Sequence, residues 1–379
     1  MAAVLRPSHI PASVMDAVPA ASSRPGKTVR VMLVDDSLTV RTVFSRMIAK
    51  ETDLEVVADA STAEKALLTL RSTRVDVILL DLEMPGMGGI EALPKLLERA
   101  QGAQVLVVSS LTEAGAEHTL TALSMGAADT MLKPRPGGFN DEYRTALLGK
   151  IRALGGQAQV AEEELLAPPA PPADTNRRRT KKPYVVAIGA STGGIHALNL
   201  FLRRLPRTFD LPILITQHLP DSFIPVFAKQ MEVAAGREAV LAEEGTQIKP
   251  NRIVIAPGNG HMVVRRTGIG PGAGAVTGLA HHRATSGCMP SVDPMFESLA
   301  SCYDGHVAAV LLSGMGRDGT DGAGLIARAG GGIYAQDEDT CAVWGMPRGV
   351  TESGLACAVL PPEQLAEAVV KAATTGASL

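Results

Sequence analysis

The sequence predicts two α/β domains, each built around a sheet of mainly parallel strands. Apolar, β-branched runs alternate with segments of helical spacing twice along the 379 residues. Between the two series, residues 154–183 carry an acidic block, a Pro-Ala block and a basic block, which cannot bury a core. We therefore expect one domain over 28–153, a linker over 154–183 and a second domain over 184–379. Residues 1–27 lack the apolar stretch of a signal peptide and are predicted to be a disordered leader.

The N-terminal series begins with VRVMLV, an apolar run typical of a strand buried on both faces. The predicted strands are 29–34, 54–60, 75–82, 104–110 and 128–133. The predicted helices are 37–50, 63–70, 90–97, 113–125 and 143–154. Five strands alternating with five helices predict a doubly wound parallel sheet with right-handed crossovers. A strand order of 2-1-3-4-5 would place the ends of the first and third strands side by side.

The C-terminal series begins at YVVAIGAS and also alternates. The predicted strands are 184–189, 212–217, 252–256, 307–313 and 331–335. The predicted helices are 193–204, 221–234, 292–302, 319–328 and 362–373. Hairpin-like segments interrupt the alternation near 239–241, 261–266 and 275–280, and the Gly-rich stretch 268–274 is expected to be a flexible turn. This pattern predicts a second doubly wound, mostly parallel sheet with an added hairpin.

The composition excludes several classes of protein. The net charge of −3 gives no global attraction to nucleic acid or to a membrane surface, and no uninterrupted apolar run reaches the length of a bilayer. We expect a cytoplasmic protein without membrane insertion. The cysteines form no CxxC pair and are expected to be reduced core thiols: Cys288, Cys302, Cys341 and Cys357. The basic run NRRRTKK could bind nucleic acid or an acidic surface, but a solvated linker is the favoured interpretation.

Polar side chains follow the predicted strands of the N-terminal sheet. Asp35 and Asp36 end the first strand and Asp81 ends the third, so three carboxylates converge if these strands are neighbours. Clustered carboxylates repel one another unless a cation binds, and Mg²⁺ suits such oxygen ligands. Ser109 and Lys133 end the next two strands. A crevice with this set can bind a phosphoryl group, with Asp81 as the nucleophile that forms an acyl phosphate.

The motifs LVDDS, DLEMPGMGG, VVSSLT and MLKP resemble those of response-regulator receiver domains, which have a flavodoxin-like fold, over essentially all of 28–153. The resemblance implies that Asp81 is the phospho-acceptor and that a histidine kinase is the phosphodonor. Ser109 and Lys133 would be the switching and phosphate-contacting pair. The implied Mg²⁺ ligands are Asp35, Asp36, Asp81 and the backbone carbonyl of Glu83.

A second constellation is predicted in the C-terminal domain. In AIGASTGG, Ser191 lies where a strand turns into a helix, and a helix N-terminus favours developing negative charge. His218 follows the next apolar strand, so it can approach Ser191 as a base, whereas His196 lies within the intervening helix. Asp318, in a Gly-rich turn after a third buried strand, could orient the imidazole. Together they predict a Ser-His-Asp triad in an unusual chain order.

Other interpretations of this region compete with a triad. GASTGG after a strand is similar to a dinucleotide-binding turn, but the GxGxxG spacing is absent and the next strand ends in Gln217-His218 instead of an acidic residue. A Gly-Thr-Asp-Gly stretch after Asp318 suggests a calcium loop, but Ala329 stands where an EF-hand has Glu. A DNA-binding regulator is disfavoured because no basic helix-turn-helix segment is present.

Six ordered motifs resemble the catalytic domain of the chemotaxis protein-glutamate methylesterases, the CheB family: GASTGG, QHLP, APGNGHM, CMPSVD, LSGMGRDG and QDEDTCAVWGMP. The resemblance implies Ser191 as nucleophile, His218 as base and Asp318 as orienting group. The Met315 amide would contribute to the oxyanion hole, and Thr192 would help to place His218. No cofactor is implied in this domain. QHLPDSF has Asp-Ser where many relatives have a Pro-Gly-like turn, which could alter receptor choice.

The same resemblance implies a substrate and partners. The substrate would be a glutamate γ-methyl ester on the cytoplasmic helical bundle of a chemoreceptor, and related enzymes also deamidate specific receptor glutamines. A receiver fused to such a domain predicts activation by phosphorylation. The alternative is a phosphorylation-controlled scaffold that binds receptors with little catalysis.

Overall fold

The computed structural model describes residues 28–109, 112–134, 138–156, 180–268 and 274–375. The predicted leader, most of the predicted linker and the interior of the Gly-rich turn lie outside the described residues, so these predictions remain open.

The N-terminal domain has the predicted doubly wound architecture. Its strands are β1 (Val29–Val34), β2 (Leu54–Ala60), β3 (Val77–Asp81), β4 (Gln104–Ser109) and β5 (Asp129–Leu132). Its helices are α1 (Leu38–Ile48), α2 (Ala63–Thr69), α3 (Gly89–Arg99), α4 (Glu113–Ser124) and α5 (Asp141–Leu154). The strands pair in parallel in the order β2-β1-β3-β4-β5, which confirms the expected neighbours. The side chains of Ser37, Thr62 and Asn140 accept backbone N–H groups at the starts of α1, α2 and α5.

The C-terminal domain is a larger sheet of the same kind. Its strands are β6 (Val185–Ala190), β7 (Ile213–Gln217), β8 (Ala239–Leu241), β9 (Ile253–Ile255), β10 (His261–Arg266), β11 (Ala275–Ala280), β12 (Val307–Leu311), β13 (Gly332–Gln336) and β14 (Ala358–Leu360). Its helices are α6 (Gly194–Arg204), α7 (Ile224–Ala235), α8 (Val292–Cys302), α9 (Thr320–Arg328), α10 (Met346–Glu352) and α11 (Pro362–Thr375). Seven strands pair in the order β14-β13-β12-β6-β7-β9-β8. β6 therefore lies between β7 and β12, and β10 and β11 pair antiparallel as the predicted hairpin.

The structure differs from the sequence prediction in the smaller elements. The segment 239–241 was predicted to be hairpin-like, but it is β8, a parallel strand at the edge of the sheet beside β9. A three-residue strand carries too little pattern to reveal its partner. β14 and α10 were not predicted, and a short 3₁₀ turn over Asp221–Phe223 precedes α7 within the range expected to be one helix.

The cysteines and the helices bear on two compositional predictions. All four cysteines are free; Cys302 is buried, but Cys357 is exposed, so the expectation of core thiols is wrong for Cys357. Among the described residues, none of the helices combines the length and the apolar character needed to cross a membrane.

Candidate active site

The acidic cluster of the N-terminal domain lies at the carboxyl edge of its sheet. Carboxylate oxygens of Asp35, Asp36 and Asp81 all lie within 4.8 Å of one another. Lys133, directly after β5, places its Nζ 2.6 Å from Asp81 Oδ2 and 3.2 Å from Asp35 Oδ2. Its backbone N–H donates to the carbonyl of Ser109 at 2.7 Å, which fixes the ends of β4 and β5 to each other. The structure thus brings the three carboxylates and the ammonium together, with Ser109 on the adjacent strand end.

The charges and hydrogen bonds of this cluster are compatible with a bound cation. Burial raises the pKa of Asp35, and the charge of Asp81 raises it further, while Lys133 opposes both. Burial alone would lower the pKa of Lys133, but its contacts with Asp81 and Asp35 hold that pKa above its ordinary value. Within the described residues, the buried Asp35 Oδ2 and Ser109 Oγ accept or donate no well-aligned hydrogen bond. Asp35 Oδ2, which in this part of the chain has only the ion pair with Lys133, keeps a lone pair that fits Mg²⁺.

The turn that carries Ser191 is fixed by backbone contacts on both sides. The Ser191 N–H donates to the carbonyl of Ser313 at 3.0 Å, and Gln217 Nε2 donates to the carbonyl of Ser191 at 2.9 Å. Gly193 has φ 77°, and a Cβ at that position would lie 2.6 Å from Ser313 Oγ. A left-handed backbone packed this tightly requires glycine. The sequence GASTGG therefore turns sharply out of β6 and presents Ser191 at the edge of the sheet.

Ser191, His218 and Asp318 form a hydrogen-bonded series. Their positions follow from topology, because they come after the adjacent strands β6, β7 and β12. His218 Nδ1 lies 3.2 Å from Ser191 Oγ, and His218 Nε2 lies 2.7 Å from Asp318 Oδ2. With Nε2–H donating to the carboxylate, Nδ1 is free to accept the proton of the serine. The alternative, His196, has its Nδ1 3.0 Å from the carbonyl of Ser124 in the N-terminal domain.

Asp318 is held by the start of α8. Its Oδ1 accepts from Ser291 Oγ at 2.7 Å and from the Asp293 N–H at 3.4 Å, and its Oδ2 accepts from the Val292 N–H at 2.8 Å. A helix N-terminus stabilises negative charge, so this seat favours the ionised carboxylate. Although burial alone would raise the pKa of Asp318, its hydrogen bond to His218 and these donors lower it to about 2.

The pKa of His218 is shifted upward, opposite to that of Asp318. Burial alone would lower the pKa of its imidazole, but the hydrogen bond with Asp318 and the nearby thiol of Cys288 raise it to about 9. The site therefore stabilises the imidazolium that forms when the histidine takes a proton. Nearby, burial is the main cause that raises the pKa of Asp293 to about 6.

Met315 and its neighbours form the other side of the site. Gly314 follows β12, and a Cβ there would lie 2.8 Å from Ser191 Cβ, so this backbone passes directly beside the predicted nucleophile. In the described part of the chain, the amide of Met315 donates to no other group. An N–H without a partner in this turn is compatible with the oxyanion role, which stays a prediction.

Thr192 does not have the partner that was expected. Instead of supporting His218, its hydroxyl donates to Asp129 Oδ2 of β5 at 2.6 Å. The same Asp129 oxygen lies 2.5 Å from Lys150 Nζ. The next N–H, of Gly193, donates to the carbonyl of Ala128 at 2.5 Å. The N-terminal domain therefore binds the two residues that follow Ser191 through hydrogen bonds. Thr192 and Asp129 are 63 positions apart, so no local pattern in the sequence indicates this contact.

Three further residues of the site were missed by the sequence analysis. Ser291 donates to Asp318, and its own N–H donates to Nδ1 of His261, which is fully buried, at 2.9 Å. Cys288 lies beside His218 and Asp318. The signal was present, because Ser291 and Cys288 lie in CMPSVD and His261 lies in APGNGHM. Those motifs supported the family resemblance without a role being assigned to these side chains.

Comparisons with known proteins agree with both halves of the chain. The profile described as CheB methylesterase matches residues 186–369, and the response regulator receiver domain matches residues 31–138. The protein-glutamate methylesterase/protein-glutamine glutaminase 2 of Caulobacter vibrioides is 44% identical over 346 residues, which cover 89% of this chain and 96% of that protein. Protein-glutamate methylesterase/protein-glutamine glutaminase 1 of Paramagnetospirillum magneticum is 38% identical, covering 91% and 96%.

A solved structure, the Thermotoga maritima CheB methylesterase catalytic domain, is 33% identical, with a TM-score of 0.47, and covers 50% of this chain and 98% of that chain. The curated relatives extend over nearly the whole chain at identities well above 30%, and each domain has its own profile match. The chain therefore belongs to the CheB family of methylesterases, with a response regulator receiver domain joined to the methylesterase domain.

Proposed function

We propose that this enzyme hydrolyses glutamate γ-methyl esters on the cytoplasmic helical bundle of chemoreceptors, and that its receiver domain controls the rate. The observation that carries the proposal is the hydrogen-bonded series of Ser191, His218 and Asp318 in a chain whose relatives are named protein-glutamate methylesterases. Those names also include protein-glutamine glutaminase, so we extend the proposal to deamidation of receptor glutamines. A substrate on the cytoplasmic part of a receptor places the enzyme in the cytoplasm.

The proposed reaction is acyl transfer in two steps. Ser191 Oγ attacks the ester carbonyl while His218 Nδ1 takes its proton, and Asp318 stabilises the resulting imidazolium. The Met315 amide donates to the oxyanion, and one such donor typically contributes about 10²–10³-fold in rate. The tetrahedral intermediate collapses, and methanol leaves with the proton from His218. Water, deprotonated by His218, then releases glutamate and regenerates Ser191. With a glutamine substrate, ammonia leaves in place of methanol.

In the receiver domain, we propose that Asp81 accepts a phosphoryl group from a histidine kinase. Asp35, Asp36, Asp81 and the backbone carbonyl of Glu83 would hold Mg²⁺, which when bound offsets the charge of the phosphoryl group. Lys133, already 2.6 Å from Asp81 Oδ2, is placed to contact the phosphoryl oxygens, and Ser109 is the proposed switching residue.

Control by the receiver is proposed to work through occlusion. In the unphosphorylated chain, Asp129 and Ala128 bind the residues next to Ser191, so the receiver lies against the catalytic turn. Phosphorylation of Asp81 would draw Lys133 toward the new charge and disturb β5, which carries Asp129. For an interdomain contact of this kind, the closed and open arrangements differ in free energy by only a few kcal/mol. A phosphorylation that changes this difference therefore changes the population of the open form.

The test measures methanol release from membranes that contain methylated receptors, with and without a small-molecule phosphodonor. We expect the wild type to be active and accelerated by the donor. Ser191→Ala should abolish release, and Asp81→Asn should keep the basal rate but lose the acceleration. If the wild type releases no methanol from several receptor types, the esterase assignment is wrong. If Ser191→Ala restores normal adaptation in cells as well as the wild type does, the scaffold alternative is correct.

A further inference from the structure

Cys288 lies beside two members of the proposed triad, and the proposed hydrolysis gives its thiol no chemical step. Its Sγ, a ring nitrogen of His218 and a carboxylate oxygen of Asp318 all lie within 4.8 Å of one another. The three side chains come from separate segments, namely the loop before α8, the end of β7 and the turn before α9. A thiol, an imidazole and a carboxylate that converge in this way are ligands of Zn²⁺-class ions, whereas Mg²⁺ prefers oxygen alone.

The loop that carries the thiol is held in place by its own contacts. The Cys288 N–H donates to Ser286 Oγ at 3.3 Å, and Ser286 Oγ in turn lies 3.3 Å from Ser291 Oγ. Ser291 is anchored on the buried His261. The position of Cys288 relative to the triad is therefore set by the fold, and a preorganised ligand loses little conformational entropy on binding an ion.

Two of the three proposed ligands line a cleft at the protein surface. Cys288 and Asp318 both line a cleft of about 290 Å³, together with Ser286, Asp293 and Thr320. Cys288 is half-buried. The cleft is also lined by the carboxylates of Asp293 and Asp321 and by the guanidinium of Arg317.

The required adjustment is small. Zn²⁺ bonds of about 2.3 Å to sulfur and about 2.0–2.2 Å to nitrogen and oxygen place tetrahedral ligand atoms roughly 3.4–3.6 Å apart. Cys288 Sγ lies at most 4.8 Å from the other two ligand atoms, so a side-chain rotation that moves it by about an ångström is sufficient. His218 Nε2 and Asp318 Oδ2, now 2.7 Å apart, must separate by less than an ångström. The ion would replace the hydrogen bond that joins them.

We propose that Cys288, His218 and Asp318 bind a thiophilic divalent cation of the Zn²⁺ class, and that the bound ion switches the hydrolase off. Cys288 binds as the thiolate and releases its proton to solvent. Coordination through Nε2 breaks the contact with Asp318, and coordination through Nδ1 removes the base from Ser191, so either mode stops proton transfer. Inhibition rests on the proposed function of this site, but metal binding does not.

Cobalt(II) is the probe, used on the full-length chain in saturating Mg²⁺, which keeps cobalt off the receiver carboxylates. We expect intense visible bands of tetrahedral cobalt and a near-ultraviolet sulfur-to-cobalt band, both removed by stoichiometric Zn²⁺. Cys288→Ser should lose the sulfur band and weaken binding by at least about tenfold, a loss that even outer-shell changes can cause. Cys357→Ser, which removes the exposed thiol elsewhere, should keep both.

Methanol release is measured in the same samples. Zn²⁺ should inhibit the wild type reversibly, with recovery on chelation, and Cys288→Ser should resist it while its thermal unfolding matches that of the wild type. A wild type without the sulfur band, or a band that persists in Cys288→Ser, overturns the metal site. A normal band with uninhibited hydrolysis overturns the switch. If the band is present but metal-free enzyme releases no methanol, the metal site stands and the proposed function fails.

Discussion

Replacing Asp318 by asparagine keeps the shape of the side chain but removes its charge. In the wild type, Oδ2 accepts from the Val292 N–H and from His218 Nε2–H, and Oδ1 accepts from Ser291 Oγ. If the new NH₂ group takes the Oδ2 position, it faces two N–H donors; if it takes the Oδ1 position, Ser291 must stop donating. In both orientations the imidazolium loses its counter-charge. We expect kcat to fall about 10³–10⁴-fold, as in other triads, which corresponds to about 4–5.5 kcal/mol.

The pH dependence gives a second, independent readout. His218 acts as a base only when neutral, so kcat/KM should rise with pH through the pKa of the free enzyme's imidazole. That pKa is lowered by burial but raised overall to about 9 by Asp318 and Cys288, so the rise should lie above the ordinary histidine range. Asp318→Asn removes the largest of the raising contacts. The residual activity should therefore rise at a lower pH than that of the wild type.

The assay is methanol release from methylated receptor membranes, measured across the pH range with the phosphodonor present. Asp321→Asn is the matched control, because Asp321 is an exposed aspartate in the first turn of α9 that lines the same cleft. It should retain the wild-type rate and pH profile. If Asp318→Asn loses activity but its profile rises at the same pH as the wild type, Asp318 does not set the pKa of His218 and the reasoning is refuted.

Three further substitutions test the surroundings of the triad. Asp129→Ala removes a charged acceptor at the domain interface, a contact worth about 1.5–3 kcal/mol, so donor-independent methanol release should rise; an unchanged basal rate contradicts occlusion. Gly314→Ala places a methyl group against Ser191, so kcat should fall and stability should drop by about 1–3 kcal/mol; wild-type rates and melting temperature would show that the backbone yields. Ser291→Ala removes one donor from Asp318, so kcat should fall about tenfold, with the acid limb of the pH profile moved by less than in Asp318→Asn; an equal shift in both variants would contradict this ranking.

The long buried strands and the residues at their ends could be predicted from the sequence. Apolar runs such as VRVMLV and VVAIGA leave no choice but burial on both faces, and polar residues that follow them must lie at one sheet edge. Ser191, His218 and Asp318 were found in this way. The prediction of short elements failed because three residues, as in β8 and β14, are too few to show a pattern, and because α10 contains Pro and Gly, which are not typical of helices.

Contacts between the domains were not predictable for a different reason. Asp129 and Thr192 belong to independently patterned segments, and nothing in either pattern specifies the other as a partner. The contacts that hold Asp318 at the start of α8 were also not predicted, because a serine before a helix is normally interpreted as a cap for that helix. In the structure, Ser291 donates to a side chain instead, and its helix start receives a carboxylate from the neighbouring turn.

β5 has four residues, and together with Lys133 directly after it, it joins the two ends of the proposed regulatory connection. Asp129 accepts a hydrogen bond from Thr192 beside the catalytic turn, and Lys133 is paired with Asp81. At about 3.3 Å per residue, these two residues lie roughly 13 Å apart along the strand direction. In the proposed occlusion mechanism, the effect of phosphorylation at Asp81 would pass along this short segment, and the covalent link between the domains would only raise their local concentration. A receiver supplied as a separate chain, at high enough concentration, should still restrain the hydrolase.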